Sequence, residues 1–308
     1  MRRFVSTCGM LLLVPVLAGA QTAEIARTAW GTPDFSGYWE FRTTTPLQRP
    51  AELAGKAALT EEEEAEYLPR RLAAIARERD RQLNADWWQP GALTDSRTSL
   101  LIDPADGRLP ARTPAAERRQ DIDGRPSRLR PADGPEDRER YERCIMGRTV
   151  PLMAVAPNRI VQIFQTPDHL VILHEMNSDV RIIPLDPERR PRLPSPIRQW
   201  QGGSRGKWEG DTLVVETTNF NGQWTLEGAG PNMRVVERFR IGDRETIDFE
   251  FMMDDPESFA GPWTVAFPIT RRTGPVYENA CHEGNYSMPL ILSGARAIER
   301  EAARAGSR

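Results

Sequence analysis

Glu237 is the residue of this chain best suited to proton-transfer chemistry. In the run 233–241 the odd positions hold Met, Val, Glu, Phe and Ile, whereas three of the four even positions are arginine. A period of two is typical of a β-strand with one buried face, so it places the carboxyl group of Glu237 on an apolar inner face. Burial penalises the ionised form of a carboxyl group, which makes it a proton donor or acceptor near neutral pH. The structural alternative is an inward-leaning arginine or a hydrogen-bond network that neutralises Glu237.

His174 is the predicted partner of that carboxyl group. It shares a strand face with Leu170, Ile172 and Met176, so the alternation points its imidazole inward. A histidine that meets Glu237 across the interior forms a pair able to move a proton, whereas the alternative is a hydrogen-bonded core histidine. In the turn that follows, Asp179 and Arg181 are predicted to pair at the rim, or to orient a polar substrate at the mouth.

A dense polar cluster follows the last predicted strand. Its members are Cys281, His282, Glu283, Asn285 and Tyr286. The cluster is predicted to cap an open end of the fold, with His282 as a catalytic candidate and with Glu283, Asn285 and Tyr286 contacting substrate.

Cys144 and Cys281 are the two cysteines that remain once an export signal is removed. An even pair in an oxidising compartment favours a disulfide. The alternative is a nucleophilic or metal-binding thiol at Cys281, beside a histidine and a glutamate. Two thiols and three histidines do not favour a zinc site, so neither a metal nor another cofactor is predicted.

Six aromatic residues are predicted to line the interior and to bind the apolar part of a small molecule. They are Trp39, Trp208, Phe249, Phe251, Trp263 and Phe267. With Arg181 and the polar cluster after the last strand, they complete the predicted substrate-binding set.

The elements that position these residues are strands. Between Arg159 and Arg272 the chain repeats an apolar-alternating run, a polar turn and another run, and the clearest hairpin turns at Gly210-Asp211. With an opening strand that ends at Phe41, this predicts eight or nine strands in sequential order. The predicted fold is therefore mainly β, an antiparallel up-and-down barrel that encloses side chains or one small ligand.

Residues 42–158 are predicted to form a helical and irregular excursion packed on the barrel, within one domain over 21–308. Thr60 followed by four glutamates indicates a helix start, and Pro69 is predicted to interrupt that helix. From Asp86 onward the excursion is rich in Pro, Gly, Asp and Arg, with too little apolar content for a core of its own.

Residues 1–20 have the pattern of an export signal. Arg2 and Arg3 precede an apolar stretch, and Ala18-Gly19-Ala20 gives a cleavage site near Ala20. The predicted location is periplasmic or secreted, because no later stretch has the roughly 20 apolar residues of a membrane span. Removal of Arg2 and Arg3 leaves 39 basic against 44 acidic residues, a formal charge of −5, which disfavours nucleic acid as a partner. The oligomeric state is left open.

Two resemblances accompany this interpretation. Gly37-x-Trp39 resembles the Gly-x-Trp signature that opens many lipocalin-type barrels. The motifs Ser204–Phe220, Val236–Phe239 and Ala280–Tyr286 resemble those of a family of exported bacterial proteins of largely uncharacterised function, over roughly residues 31–297. That resemblance implies an exported single-domain protein and carries no established chemistry.

Three functions are predicted, in order of preference. The first is an exported barrel enzyme that acts on a small, fairly apolar organic molecule by acid/base proton transfer, as a lyase, isomerase, cyclase or hydrolase. The second is a non-catalytic periplasmic protein that binds or carries a lipophile in the same interior. The third is a structural module of the cell envelope.

Overall fold

The strands of the protein form one antiparallel sheet that curls into a nearly closed barrel. The computed structural model describes residues 25–80, 93–123, 130–140, 142–145, 149–154, 159–186, 194, 196–223 and 226–306. The strands are β1 (Gly37–Glu40), β2 (Leu101–Asp103), β3 (Ile160–Gln165), β4 (His169–His174), β5 (Val180–Pro184), β6 (Gly203–Glu209), β7 (Thr212–Thr218), β8 (Arg234–Asp243), β9 (Thr246–Asp254) and β10 (Trp263–Arg271). The helices are α1 (Glu61–Asp80), α2 (Pro114–Asp123) and α3 (Ser287–Gly306).

Neighbouring strands follow the chain order around the barrel. The sheet order is β5-β4-β3-β1-β10-β9-β8-β7-β6, and β2 pairs with β10 beside β1. The opening strand β1 joins the two halves of the meander, since Trp39 lies opposite Val161 of β3 on one side and Arg271 of β10 on the other. The predicted mainly β fold, with nine strands in an up-and-down barrel, is confirmed.

A seam remains between the two edge strands, β5 and β6. They lie side by side, but no ladder joins them among the described strands. Side chains fill the seam: a Cβ added at Gly206 of β6 would lie 2.7 Å from Leu185 and 3.4 Å from Ile183. Gly206 therefore allows the two edges to approach, and any side chain there would push them apart.

The inner faces of the strands are those that the period of two predicted. The side chains at 235, 237, 239 and 241 of β8 are buried, as are those at 247, 249, 251 and 253 of β9 and at 263, 265, 267 and 269 of β10. Cross-strand register keeps them in layers; for example, Phe239, Phe249 and Phe267 lie opposite one another on β8, β9 and β10. The barrel interior is thus a packed core over much of its length.

Trp39 of the opening strand is part of the packed core. Its indole is fully buried, its Nε1 donates to the backbone oxygen of Phe35 at 2.8 Å, and the Arg271 guanidinium lies 4.2 Å from the ring centroid. Gly37 makes this packing possible, because its φ of +131° is reserved for glycine and a Cβ there would lie 2.6 Å from Arg271 Nη1.

Helix α1 begins as predicted but is not interrupted. The Glu63 backbone N–H donates to Thr60 Oγ1 at 3.3 Å, and the Thr60 N–H donates to Glu63 Oε2 at 2.9 Å, which is a reciprocal capping box. The predicted break at Pro69 is wrong, since the helix runs through it to Asp80. A proline removes one backbone donor, and the remaining turns on either side sustain the helix.

Other parts of the excursion attach to the barrel. Strand β2 pairs with β10, with Leu101 opposite Val265. Helix α2 is anchored by Arg119, which donates to the Gly228 oxygen at 2.9 Å and to Ser258 Oγ at 2.6 Å. The predicted export signal lies outside the described residues.

Candidate functional site

The inner face of the barrel carries a buried ion pair. Glu237 of β8 is fully buried, and its Oε2 accepts a hydrogen bond from Arg181 Nη2 at 2.5 Å. Its Oε1 accepts a hydrogen bond from the backbone N–H of Leu152 at 3.3 Å. The predicted inward position of Glu237 is therefore confirmed, and both of its oxygens have partners.

Arg181 reaches across the seam from one edge strand to three strands on the other side. Its Nε donates to Ser204 Oγ of β6 at 2.9 Å, and its Nη2 donates to Thr217 Oγ1 of β7 at 2.9 Å as well as to Glu237. Ser204 and Thr217 are themselves hydrogen-bonded at 2.9 Å. These bonds link β5 to β6, β7 and β8 where no backbone ladder does. The remaining nitrogen, Nη1, is buried and has no hydrogen-bond partner.

The predicted rim position of Arg181 is wrong. Its side chain is 3% exposed, whereas its apolar neighbours Val180 and Ile182 are 50% and 60% exposed. Strand β5 therefore turns Arg181 and Ile183 to the interior and Val180 and Ile182 to the outside. The counter-charge of Glu237 makes this register favourable, because it compensates the buried guanidinium.

His174 also points inward, as predicted. It is 5% exposed, and its Nε2 is buried without a hydrogen-bond partner. Burial lowers the pKa of His174 to about 3, with a further lowering by the positive charges of Arg181 and Arg159. The imidazole is therefore neutral at neutral pH. The predicted hydrogen-bonded couple with Glu237 is not formed, since Arg181 takes that place.

The lowered pKa of His174 predicts a pH dependence of stability. In the unfolded chain a histidine titrates near its ordinary pKa of about 6.5, so the unfolded state takes up a proton that the folded state refuses until about pH 3. The free energy of unfolding is expected to fall as the pH drops from about 6.5 towards 3, by up to about 5 kcal/mol from this residue. Urea denaturation at pH 7, 5 and 4 measures the loss.

His174→Gln separates this contribution from the titration of carboxylates. The variant is expected to lose less stability than the wild type over the same pH range, because its amide does not titrate. His282→Gln is the matched control, since His282 is exposed and its removal should leave the profile unchanged. Parallel profiles for the wild type and His174→Gln would contradict the prediction.

A short segment of the excursion packs beside the ion pair. Residues 149–154 are all buried, and Leu152 donates its backbone N–H to Glu237. This role was not predicted from the sequence, although the apolar run 150–154 between polar stretches was a usable signal of burial. The segment covers the apolar residues next to the ion pair and so keeps Glu237 away from bulk water.

Five of the six predicted aromatic residues are buried in the interior, and Trp208 is partly buried against them. Phe249 packs against Phe267 with ring centroids 5.0 Å apart, and Phe251 packs against Trp263 at 5.7 Å. Trp208 stacks on Phe35 at 5.8 Å, and Trp39 Nε1 donates to the backbone oxygen of Phe35. These rings contact one another as core residues, and their contact with a ligand stays a prediction.

The polar cluster after β10 lies outside the barrel. The predicted disulfide between Cys144 and Cys281 is confirmed, with an S–S distance of 2.10 Å. His282, Glu283 and Tyr286 are exposed, and Asn285 Nδ2 donates to Cys144 Sγ at 3.1 Å. His282 and Asn285 border a surface pocket of about 330 Å³ beside the disulfide. The structure does not bring these residues to Glu237.

The chain between β10 and the disulfide passes over the turn that joins β4 and β5. The Tyr277 backbone N–H donates to Glu175 Oε2 at 3.1 Å, and Asn279 lies 3.8 Å from the sulfur of Met176. The disulfide thus secures a segment of chain across the end of the barrel where His174 and Arg181 lie.

A groove runs along the seam at the same end. Its volume is about 620 Å³. The apolar part of its lining includes Val180 and Ile182 from β5 and Trp200 from the segment that leads into β6. Arg181 and Ser204 also line it, so the groove adjoins the buried hydrogen-bond cluster.

Within the described residues, no group of three or more His, Cys, Asp or Glu side chains is arranged to hold a metal ion. None of the helices in those parts of the chain is both long and apolar enough to cross a membrane.

The fold and the site define an antiparallel β-barrel with a buried arginine–glutamate pair at a grooved seam. No protein-family model matches the chain, and comparisons with curated proteins and with solved structures gave no match. The resemblance to a family of exported proteins therefore stays a prediction that rests on the sequence motifs.

Proposed function

We propose that the protein binds a small amphipathic organic molecule in the seam groove. The observation that carries this proposal is the lining of the groove. Val180, Ile182 and Trp200 offer apolar contacts, and Arg181 and Ser204 lie beside them. The other polar side chains of the lining are those of Arg198, Gln199 and Gln201. A concave surface that combines apolar side chains with convergent polar groups is the usual form of a small-molecule site.

The exposure of β5 supports a ligand at this place. Val180 and Ile182 are half exposed or more on an edge strand, and Ile197 nearby is 49% exposed. Adjacent exposed apolar side chains on a protein surface mark binding sites more often than isolated ones do. A ligand of roughly ten to twenty non-hydrogen atoms would cover these side chains and remove them from water.

Binding is favoured over proton transfer because of the state of Glu237. Its two oxygens accept hydrogen bonds from Arg181 and Leu152, and the side chain is fully buried. A general acid or base must reach the proton that it transfers. The acid/base enzyme remains a second candidate because His174 keeps a buried ring nitrogen without a partner.

The cellular location belongs to the same proposal. A disulfide between Cys144 and Cys281 is typical of an oxidising compartment. Together with the signal-like pattern of residues 1–20, it supports an exported protein that meets its ligand in the periplasm or outside the cell.

Ligand binding at the groove is tested by substitution of Ile182. Trp200 lies in the groove, so a panel of small amphipathic molecules is titrated against the mature protein and tryptophan quenching is followed. Ile182→Asp is expected to weaken binding about tenfold or more, because it places a charge among the apolar side chains of the groove. Ile102→Asp is the matched control, since Ile102 is also an exposed strand isoleucine but does not line the groove.

The same incubations separate the two candidate functions. Recovery of the bound molecule unchanged, as judged by mass spectrometry, supports a binding protein. Conversion that is lost in both His174→Gln and Glu237→Gln supports the enzyme. Equal binding by Ile182→Asp and Ile102→Asp would refute the groove as the site.

A further inference from the structure

We propose that the polar end of the ligand is a carboxylate, held by Nη1 of Arg181 and Nε2 of His174. This inference rests on the proposed function and names the chemical class of its ligand. Neither nitrogen has a hydrogen-bond partner, and both belong to side chains that are at least nine-tenths buried. A buried donor without a partner costs about 1–3 kcal/mol, so a ligand that satisfies both is favoured over an apolar one.

The two nitrogens belong to neighbouring side chains on the inner face of one hairpin. Arg181 of β5 lies opposite Ile172 of β4, and His174 is two residues further along β4 on the same face. Such diagonal neighbours lie about 7–8 Å apart, a spacing across which long side chains still interact. The backbone N–H of His174 bonds to the Asp179 oxygen at 2.8 Å, which fixes the strand at this point.

The other nitrogens of Arg181 are already used. Nε and Nη2 donate to Ser204, Thr217 and Glu237, so the guanidinium is held in one orientation with Nη1 left over. A donor that is fixed before the ligand arrives loses little side-chain entropy on binding. Arg181 also lines the groove, and it is the residue that connects the proposed ligand site with the buried cluster.

The ring of His174 is neutral, so it can donate a hydrogen bond to an anion without carrying a charge of its own. Burial is the main cause of its lowered pKa, and the positive charges of Arg181 and Arg159 act in the same direction. A neutral imidazole in the tautomer that carries its proton on Nε2 donates a hydrogen bond to a carboxylate oxygen. Charge-assisted hydrogen bonds of this kind are roughly twice as strong as neutral ones.

Matched pairs of acids and esters test the inference on the unaltered protein. Octanoate and 3-phenylpropanoate are titrated beside their methyl esters, and tryptophan quenching or calorimetry gives the affinities. Each acid is expected to bind at least about tenfold more tightly than its ester, because the ester offers a neutral acceptor only. His174→Leu is expected to reduce this preference about tenfold, whereas His174→Gln, which keeps an amide N–H, should retain most of it.

The outcomes separate this inference from the function on which it rests. Equal affinities for acid and ester would overturn the inference that the ligand carries a carboxylate. The groove would then remain a ligand site. Failure of both to bind, together with the rest of the panel, would overturn the proposed function itself. Displacement of octanoate by an equal concentration of inorganic phosphate or sulfate would show a general anion site and would also overturn the carboxylate. If His174→Leu fails to fold, the affinities of acid and ester for the wild type still decide whether the polar end of the ligand is a carboxylate.

Discussion

Glu237→Gln is expected to lower the free energy of unfolding by about 3–5 kcal/mol. The substitution keeps the shape of the side chain and removes only its charge. Arg181, which is 3% exposed, then becomes an uncompensated buried cation. Chemical denaturation of the wild type and the variant at pH 7 measures the difference.

A surface pair provides the control. Arg240 and Asp248 form an ion pair on the outer face of β8 and β9, with 60% and 44% of the two side chains exposed. Asp248→Asn is expected to cost less than about 1 kcal/mol, because water screens exposed pairs. Equal losses for Glu237→Gln and Asp248→Asn would contradict the role assigned to the buried pair.

Removal of the disulfide is expected to have an effect of similar size. The Cys144–Cys281 bond closes a loop with a sequence separation of 137 residues. In the chain-entropy account a loop of this length contributes about 5 kcal/mol through the unfolded state. The double variant Cys144→Ser and Cys281→Ser should therefore unfold at a clearly lower denaturant concentration than the oxidised wild type.

Reduction of the wild type gives an independent check of the same bond. Dithiothreitol should bring the wild-type midpoint close to that of the double serine variant, and it should not shift the variant. A wild type whose midpoint is unaffected by complete reduction would show that the bond contributes little to folding.

Much of the fold was accessible from the sequence because burial on one face imposes a period of two. Strands β8, β9 and β10 are long and alternate cleanly, so their inner faces and the inward position of Glu237 were predicted correctly. The disulfide was also predictable, since only two cysteines follow the predicted export signal. Turn chemistry placed the hairpin at Gly210-Asp211, where Glu209 lies opposite Thr212.

In strand β5 the residue types do not reveal which face of the strand is buried. It is five residues long, and its arginine points inward while Val180 and Ile182 point outward. A strand this short carries too few positions to fix its parity from composition alone. Two contacts agree with the observed parity: Ile183 is buried on the same face as Arg181, and Arg181 pairs with Glu237, which lies 56 residues later in the chain. A contact between residues so far apart in the chain depends on how the barrel closes. It cannot be predicted from the sequence of β5 or of β8 alone.

The seam groove could not be predicted for a related reason. Its lining combines β5 with the segment that returns to the start of β6, and it depends on how closely the two edges approach. Residues 149–154, which pack beside Glu237, likewise carry no motif that predicts where in the fold they pack. Such features arise from three-dimensional assembly, whereas the strands themselves arise from local pattern.

Arg181 crosses the seam to pair with Glu237 inside the barrel. A double-mutant cycle with Arg181→Met, Glu237→Gln and the combined variant measures this interaction, with the free energy of unfolding as the readout. The two losses are expected to be strongly non-additive, with a coupling of about 2–3 kcal/mol between the side chains. Losses that add to within about 0.5 kcal/mol would show that the two side chains do not interact and would contradict this pairing.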